Sequence, residues 1–178
     1  RIILEDGTEF EGTAFGYENA VAGEIVFYAG HAGLPRLLTD PALKGAILVL
    51  AQCEAGATGI PDDGLLCPLG LEAEIESSTA QIAGLVASSV SSTASHHSAK
   101  YTLSRWLKKQ QVPGIGGIDT RALIQRLGAR GTMRAKILVS GTKDVSFSSA
   151  STHVQPSHAS VKRTLQYGTG AKKIVLVD

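Results

Sequence analysis

Two cysteines are the residues of this sequence best suited to nucleophilic chemistry. Cys53 lies in AQCEAG and Cys67 in LLCPLG, and neither stretch has the strand-turn-helix frame that builds an oxyanion hole around a catalytic cysteine. Pro68 follows Cys67 and removes a backbone N–H that an oxyanion would need. We therefore predict that both cysteines are small buried thiols and that the chain carries no catalytic nucleophile.

Two adjacent histidines are the strongest candidates for metal ligands. On a helix or a strand, the rings of His96 and His97 would diverge, and no His or Cys follows at i+3 or i+4 to complete a metal site. No G-x-S-x-G motif occurs among the many serines. The sequence thus predicts a feature at the entry of a helix here, and no metal site.

A glycine-rich stretch, VPGIGGIDTRAL, raises the question of a phosphate-binding loop. It matches neither the P-loop pattern nor the dinucleotide pattern, because both the spacing of the glycines and the P-loop Lys-Ser/Thr pair are missing. Asp119 instead stands where an N-cap is needed, ahead of a helix that apolar residues at 123, 124 and 127 would anchor. This favours a structural cap with close backbone packing over anion binding. A second stretch, GTGAKK, leads into a predicted strand and lacks the helix N-terminus that holds a phosphate.

Composition excludes several classes of protein. The 178 residues carry a formal net charge of +1, which provides no strong field for nucleic acid or anionic lipid. No apolar run approaches the about 18 residues that span a bilayer. Two cysteines form no disulfide framework. We expect a soluble, cytoplasmic protein without a nucleic-acid or membrane partner.

Short strands and helices must position these residues. Asp6-Gly7 predicts a two-residue hairpin turn with positive φ at both positions. Apolar runs bounded by glycine predict buried strands, and Pro35 and Pro41 bracket a short helix. The predicted strands are GEIVFYAG, GAILVLAQC, QIAGLVASSV, TMRAKILVSG and KKIVLVD, and the predicted helices include GLPRLLTDP and SAKYTLSRWLKKQQ.

Several of these stretches together resemble one family, the N-terminal domain of the small, glutamine-hydrolysing subunit of carbamoyl-phosphate synthase or its counterpart in fused eukaryotic chains. The matching pieces cover roughly 2–137 and are LEDGTEFEG, Phe15-Gly16, GEIVF, LTDP, VPGIGGIDTRAL and GTMRAKI. SHHSAKYTLSRWL is similar to a pattern of the fused animal-type chains, which suggests a eukaryotic, multidomain parent.

The resemblance implies a fold and a division of labour. It implies an α/β domain of the swivelling β/β/α type with mixed sheets over 1–140, a linker over 141–171, and the first strand of a class I amidotransferase domain over 172–178. The Cys-His-Glu machinery for glutamine hydrolysis would then lie in that amidotransferase domain. A synthetase portion, using ATP and Mg, would receive the ammonia, and this chain would need no cofactor of its own.

The sequence departs from the family pattern at three places. The family's TDPS serine, which contributes to the glutamine site, corresponds to Ala42, so only a backbone contact is available there. The loops 28–34 and 51–59 also differ from the pattern. Two functions are compatible with this: a non-catalytic scaffold that completes the edge of the glutamine site and docks the glutaminase, or a diverged ligand- or protein-binding module. An independent enzyme is the weakest alternative, because no nucleophile, base and orienting group can be assembled.

Overall fold

The computed structural model describes residues 1–30, 32–62, 64, 66–68, 73–147, 160–168 and 170–177. The strands are β1 Ile2–Leu4, β2 Glu9–Phe10, β3 Thr13–Ala14, β4 Val21–Tyr28, β5 Ile47–Leu50, β6 Ile60–Pro61, β7 Gly84–Val86, β8 Ala99–Tyr101, β9 Gly114–Gly116 and β10 Met133–Ile137. The helices are α1 Leu34–Leu38, α2 Leu103–Lys109 and α3 Thr120–Arg130, with a 3₁₀ helix at Pro41–Leu43.

Eight strands form one mixed sheet in the order β2-β1-β10-β4-β5-β7-β9-β3. The four central strands β4, β5, β7 and β9 run parallel, and the strands on either side of them pair antiparallel. β6 and β8 form a separate antiparallel pair. The predicted α/β class with mixed sheets is confirmed.

The large sheet is strongly curled. Its two edge strands, β2 and β3, are joined by only Glu11 and Gly12, which span at most about 11 Å. A flat sheet of this many strands would be about 34 Å wide. The edges must therefore approach each other. Gly12 lies at this seam, where a Cβ atom would collide with the carbonyl oxygen of Gly116 and the side chain of Ile118.

Both faces of the sheet are covered. Side chains of a strand alternate between faces, so Ile47 and Val49 of β5 join the apolar cluster that includes α3, whereas Leu48 and Leu50 join the cluster of α1 and α2. Trp106, which is 1% exposed, is the largest side chain of the second cluster. Burial on both faces explains why the central strands are continuously apolar.

The N-terminal hairpin differs from its predicted form. β1 and β2 pair as expected, but the Leu4 N–H donates to the Thr8 carbonyl at 2.8 Å and the Gly7 N–H donates to the Leu4 carbonyl at 3.0 Å. The connection is therefore three residues long, and only its last residue, Gly7 with φ 84°, is left-handed. Positive φ at Asp6 was predicted wrongly, because a three-residue loop needs it only at the third position.

The helix predicted over 98–111 is shorter than its sequence pattern. Ala99–Tyr101 is strand β8, and α2 begins at Leu103 after Thr102, whose side chain accepts a hydrogen bond from the Arg105 N–H. The apolar spacing identified the buried face correctly, since Leu103, Trp106 and Leu107 are buried. The start was predicted wrongly because Ala99 and Tyr101 pair with β6.

The strand predicted over 172–178 is not formed in the described residues 172–177. Ile174–Val177 are 83–96% exposed, and a strand needs a neighbouring strand to satisfy its backbone. The domain boundaries at 140 and 171 stay predictions. Among the described residues, no helix is long and apolar enough to cross a bilayer.

Candidate functional site

A cleft of about 600 Å³ opens at the carboxyl ends of the adjacent parallel strands β4 and β5. Most of its lining comes from residues 32–35 at the start of α1, the loop 52–59 after β5, and the turn around His96 and Ser98, and Glu74 adds a further wall. Ligands of α/β sheets bind outside the carboxyl ends of the strands, which is where this cleft lies.

The loop after β5 forms the floor and is fixed by backbone hydrogen bonds. Glu54 has a left-handed backbone with φ 53°, a conformation that is uncommon for a residue with a side chain. Its N–H donates to Ser89 Oγ at 2.7 Å, and the next N–H, of Ala55, donates to the Ser89 carbonyl at 2.9 Å. Ser89 therefore holds the strained turn in place.

Two glycines set how closely this floor packs on the second apolar cluster. A Cβ on Gly56 would lie 2.5 Å from Leu103 Cβ, and one on Gly59 would lie 2.6 Å from Ala94 Cβ. Both glycines also have positive φ. The floor has no room for a larger residue at either position, so the shape of the cleft is built into the packing.

A buried threonine holds the remaining wall. The Thr39 hydroxyl, fully buried at the end of α1, donates to the Pro35 carbonyl at 2.9 Å and accepts from the Glu76 N–H at 2.9 Å. Arg36 donates to the Ala73 carbonyl at 2.8 Å. These bonds secure the segment that carries Glu74 to the edge of the cleft.

The charged groups of the cleft are acidic. Glu54 and Glu74 both line it, and no Lys or Arg does so among the described residues. No ion pair joins either carboxylate to a cation within the described part of the chain. The cleft therefore attracts cations and repels phosphates and carboxylates.

His96 is oriented by its neighbour in the same turn. His96 Nδ1 lies 2.7 Å from Ser98 Oγ and 3.3 Å from the Ser98 backbone nitrogen, so Ser98 fixes the orientation of the ring. The His96 and His97 ring centroids are 4.2 Å apart. The prediction that the rings diverge at a helix entry was wrong, because the two residues lie in a turn that leads into β8.

The predicted burial of the two thiols was also wrong. Cys53 is exposed and lines the cleft, and Cys67 is half-buried. The reason is local, because at the turn that follows β5 the side chain that enters the core is that of Ala55, not that of Cys53.

Among the described residues, the surroundings of Cys53 show no pairing of the thiol with a base. No hydrogen bond joins Cys53 to His96 within the described residues. The N–H groups of the next two residues, Glu54 and Ala55, already donate to Ser89 and leave no oxyanion hole. No group of three or more His, Cys, Asp or Glu side chains is placed to hold a metal among the described residues.

The glycine-rich stretch forms strand β9 and the short connection from β9 to α3, residues 117–119, which we call the crossing. The Gly117 N–H donates to the Ser88 carbonyl at 3.1 Å, and the Ile118 N–H donates to the Ala87 carbonyl at 3.3 Å. The amides that a phosphate would need are therefore engaged. Asp119 occupies the N-cap position of α3, where its side chain accepts from the Ala122 N–H at 2.9 Å.

Ala42 lies outside the cleft, exposed in the 3₁₀ helix after α1. Its N–H donates to Asp40 Oδ1 at 2.8 Å, so this amide is not presented to a neighbour as the sequence suggested. A glutamine contact at Ala42 stays a prediction that depends on the resemblance alone.

The loops 28–34 and 51–59 were predicted to depart from the family pattern, but they were not predicted to line one cleft. Sequence reasoning missed Glu54, Glu74 and the supporting residues Ser89 and Thr39. One signal was available: two predicted buried strands are each followed by an atypical loop, and parallel pairing of the strands places those loops at the same edge of the sheet. No local signal identified Ser89, which lies 35 positions from the residue it holds.

Comparison with known proteins gives one family. The family model described as "Carbamoyl-phosphate synthase small chain, CPSase domain" matches residues 2–137. Human "Carbamoyl-phosphate synthase (ammonia), mitochondrial" is 39% identical over 178 residues, which is 99% of this chain and 12% of the relative. "Multifunctional protein ura1" of Schizosaccharomyces pombe is 41% identical over 137 residues, which is 76% of this chain and 6% of the relative. "Multifunctional protein pyrABCN" of Emericella nidulans is 42% identical over 139 residues, again 76% and 6%. The chain thus spans a small part of the curated relatives it matches.

Proposed function

The chain belongs to the carbamoyl-phosphate synthase small-chain family, and from this premise we propose that it is a non-catalytic scaffold that docks the glutaminase part of a larger synthase. The observation that carries the proposal is the hydrogen-bonded cleft around 52–59, in which the described residues present no activated nucleophile. Such a surface favours a domain that positions the glutaminase part over one that catalyses a reaction itself.

The partners proposed for this scaffold are a class I amidotransferase domain and the synthetase portion of the parent. Fused multifunctional relatives support covalent linkage to other synthase domains. ATP and Mg would act in the synthetase portion, where carbamoyl phosphate would be made from bicarbonate and ammonia.

The scaffold proposal has a direct test. The purified 178-residue chain should release no glutamate from glutamine, while deletion of the chain from the full-length parent should abolish glutamine-dependent synthesis. Glutamate release by the purified chain, lost on Cys53→Ala or Cys67→Ala, would contradict the proposal.

The nitrogen source of the parent is proposed to be glutamine. The alanine at position 42 lacks one hydroxyl, which costs about 0.5 to 1.5 kcal/mol, or roughly twofold to thirteenfold in affinity. Ala42→Ser in the full-length parent should therefore tighten apparent glutamine binding by no more than about that factor. Rates with glutamine and with ammonia, measured side by side in both proteins, check this.

A second candidate is a parent that uses free ammonia, in which this domain has lost the glutaminase-support role. Two observations favour it: the missing hydroxyl at Ala42, and the relatives named for ammonia, which match 99% of the chain. Synthesis with ammonia but none with glutamine, in wild type and Ala42→Ser alike, would establish this candidate.

The cytoplasm is the proposed compartment for a glutamine-using parent. The exposed thiol of Cys53 suits a reducing environment. The ammonia-type relatives are named as mitochondrial, so the two candidates also differ in location. Cell fractionation followed by detection of the parent separates them.

A further inference from the structure

We propose that the cleft between α1 and the loop after β5 receives a basic segment, presenting a lysine or arginine side chain, from another part of the synthase that contains this chain. This inference rests on the proposed docking function and adds the chemistry of the partner surface. Three features of the cleft carry it: its shape, its charge and its apolar lining.

The cleft persists without an occupant because its floor cannot collapse. Its volume of about 600 Å³ lies within the range of preformed binding sites. Glu54 is held by Ser89, and Gly56 and Gly59 pack directly on neighbouring side chains. A preformed site saves the occupant the entropic cost of ordering the loop.

The charge of the cleft selects the occupant. Glu54 and Glu74 come from two separate segments, so a cationic side chain entering the cleft is met from two directions. Other carboxylates nearby form ion pairs: Glu76 Oε1 lies 3.9 Å from Arg36 Nη1, and Asp62 Oδ2 lies 2.6 Å from Lys100 Nζ. Glu54 and Glu74 form no such pair within the described residues. Opposite charge on the partner would satisfy both.

The apolar lining suits the stem of a long basic side chain. Leu34 and Pro35 lie on one wall, and Ala57 and Ala99 lie on the floor and the opposite side. The methylenes of lysine and arginine pack on such surfaces while the charged group reaches polar partners. Because the relatives are far longer than this chain, the remainder of the parent would supply the segment at high effective concentration.

Cys53 is a natural probe for this occupant. It lines the cleft and is exposed in the chain alone. In the dialysed full-length parent, a seated segment should slow labelling of Cys53 by a small maleimide. Glu54→Lys and Glu74→Lys should each speed labelling by a bulky maleimide about twofold to fivefold more than labelling by a small one, because a cation beside the thiol raises both rates alike whereas an emptied cleft favours the bulky reagent. Salt at 1 M, where the Debye length is about 3 Å, should act in the same direction.

The controls separate cleft opening from unfolding. Glu54→Gln and Glu74→Gln keep the side-chain size and should give a smaller rise of the same sign. Glu18→Lys, an exposed change outside the cleft, should leave the rate unchanged. Labelling of Cys67 should not change in any of these variants.

Several results would overturn the inference. One is equal labelling of Cys53 in wild type and in both charge-reversed variants, and another is an equal rise at Cys67. A third is rapid labelling of the dialysed wild type that slows only when spermidine or Mg²⁺ is added, which would indicate a free cation as the occupant. None of these bears on the deletion experiment, so the scaffold function can stand if the basic segment does not.

Discussion

Two loops that follow parallel strands of the same sheet have opposite surroundings. The crossing after β9, residues 117–119, donates its amides to the loop after β7 and ends in a capped helix. The loop after β5, residues 52–59, is fixed just as firmly by Ser89, yet one side of it faces an open cleft. Glycine content does not distinguish the two loops. What distinguishes them is whether other residues of the same chain cover the loop: the crossing is covered, and the loop after β5 is open on the side of the cleft.

Truncation of a core residue should show the largest difference between these loops. Ile118, 2% exposed, packs in the cluster of α3, and Ile118→Ala should lower the free energy of unfolding by about 2 to 5 kcal/mol. Gln52→Ala, in the cleft, should change it by less than about 0.5 kcal/mol. Urea unfolding followed by the fluorescence of Trp106, the single tryptophan, measures both. Equal losses would mean that the cleft loop is as integral to the core as the crossing.

Substitution of a glycine should instead lower the free energy of unfolding more in the loop after β5 than in the crossing. Gly56→Ala should cost about 2 to 4 kcal/mol, because the new Cβ meets Leu103 and the backbone is left-handed. Gly117→Ala has the same backbone strain but open space around it, and should cost only about 1 to 2 kcal/mol. The same urea experiment compares them. A larger loss at Gly117 would contradict the close packing of the cleft floor.

A smaller effect is expected at the cap of α3. Asp119→Ala removes the bond to the Ala122 N–H and should lower stability by about 0.5 to 2 kcal/mol, whereas Asp119→Asn should be nearly neutral. Stability and anion binding measured together test this. Weaker anion binding at unchanged stability would instead revive a phosphate-binding function for the crossing.

The smallest effect at neutral pH concerns the attachment of α3 to the N-terminal hairpin. Hydrogen bonds from Thr8, and then the Arg126 guanidinium, hold the pKa of Asp6 well below its ordinary value of 3.8. Asp6 therefore stabilises the fold fully above that value, and its contribution falls as the pH drops below 3.8 toward the depressed pKa of the folded state. Urea midpoints from pH 6 down to pH 2 should fall less steeply in Asp6→Asn. Parallel curves for both proteins would exclude this contribution.

The sequence predicted well whatever depends on local pattern. Apolar runs located β4, β5 and β10, and the prolines located α1, because burial and capping leave a signal within a few residues. The sequence-based predictions were wrong where a residue distant in the sequence determines the local structure. Ala99 became a strand because β6 lies beside it, and Cys53 faced a cleft because Ser89 holds the adjoining turn. The acidic character of the cleft depends on two segments that only the fold brings together.

The pairing of β1 with β10 has a consequence for synthesis on the ribosome. The Leu138 N–H bonds the Arg1 carbonyl, and the two residues are 137 positions apart. Translation proceeds at about 5 to 20 residues per second, so β10 is synthesised roughly 7 to 27 s after Ile2 and Leu4, which pair with it. The parallel strands β4, β5, β7 and β9 are all translated in that interval. Among the strands of this sheet, β1 is therefore translated early but paired late with β10, which makes it a natural segment for a chaperone to cover.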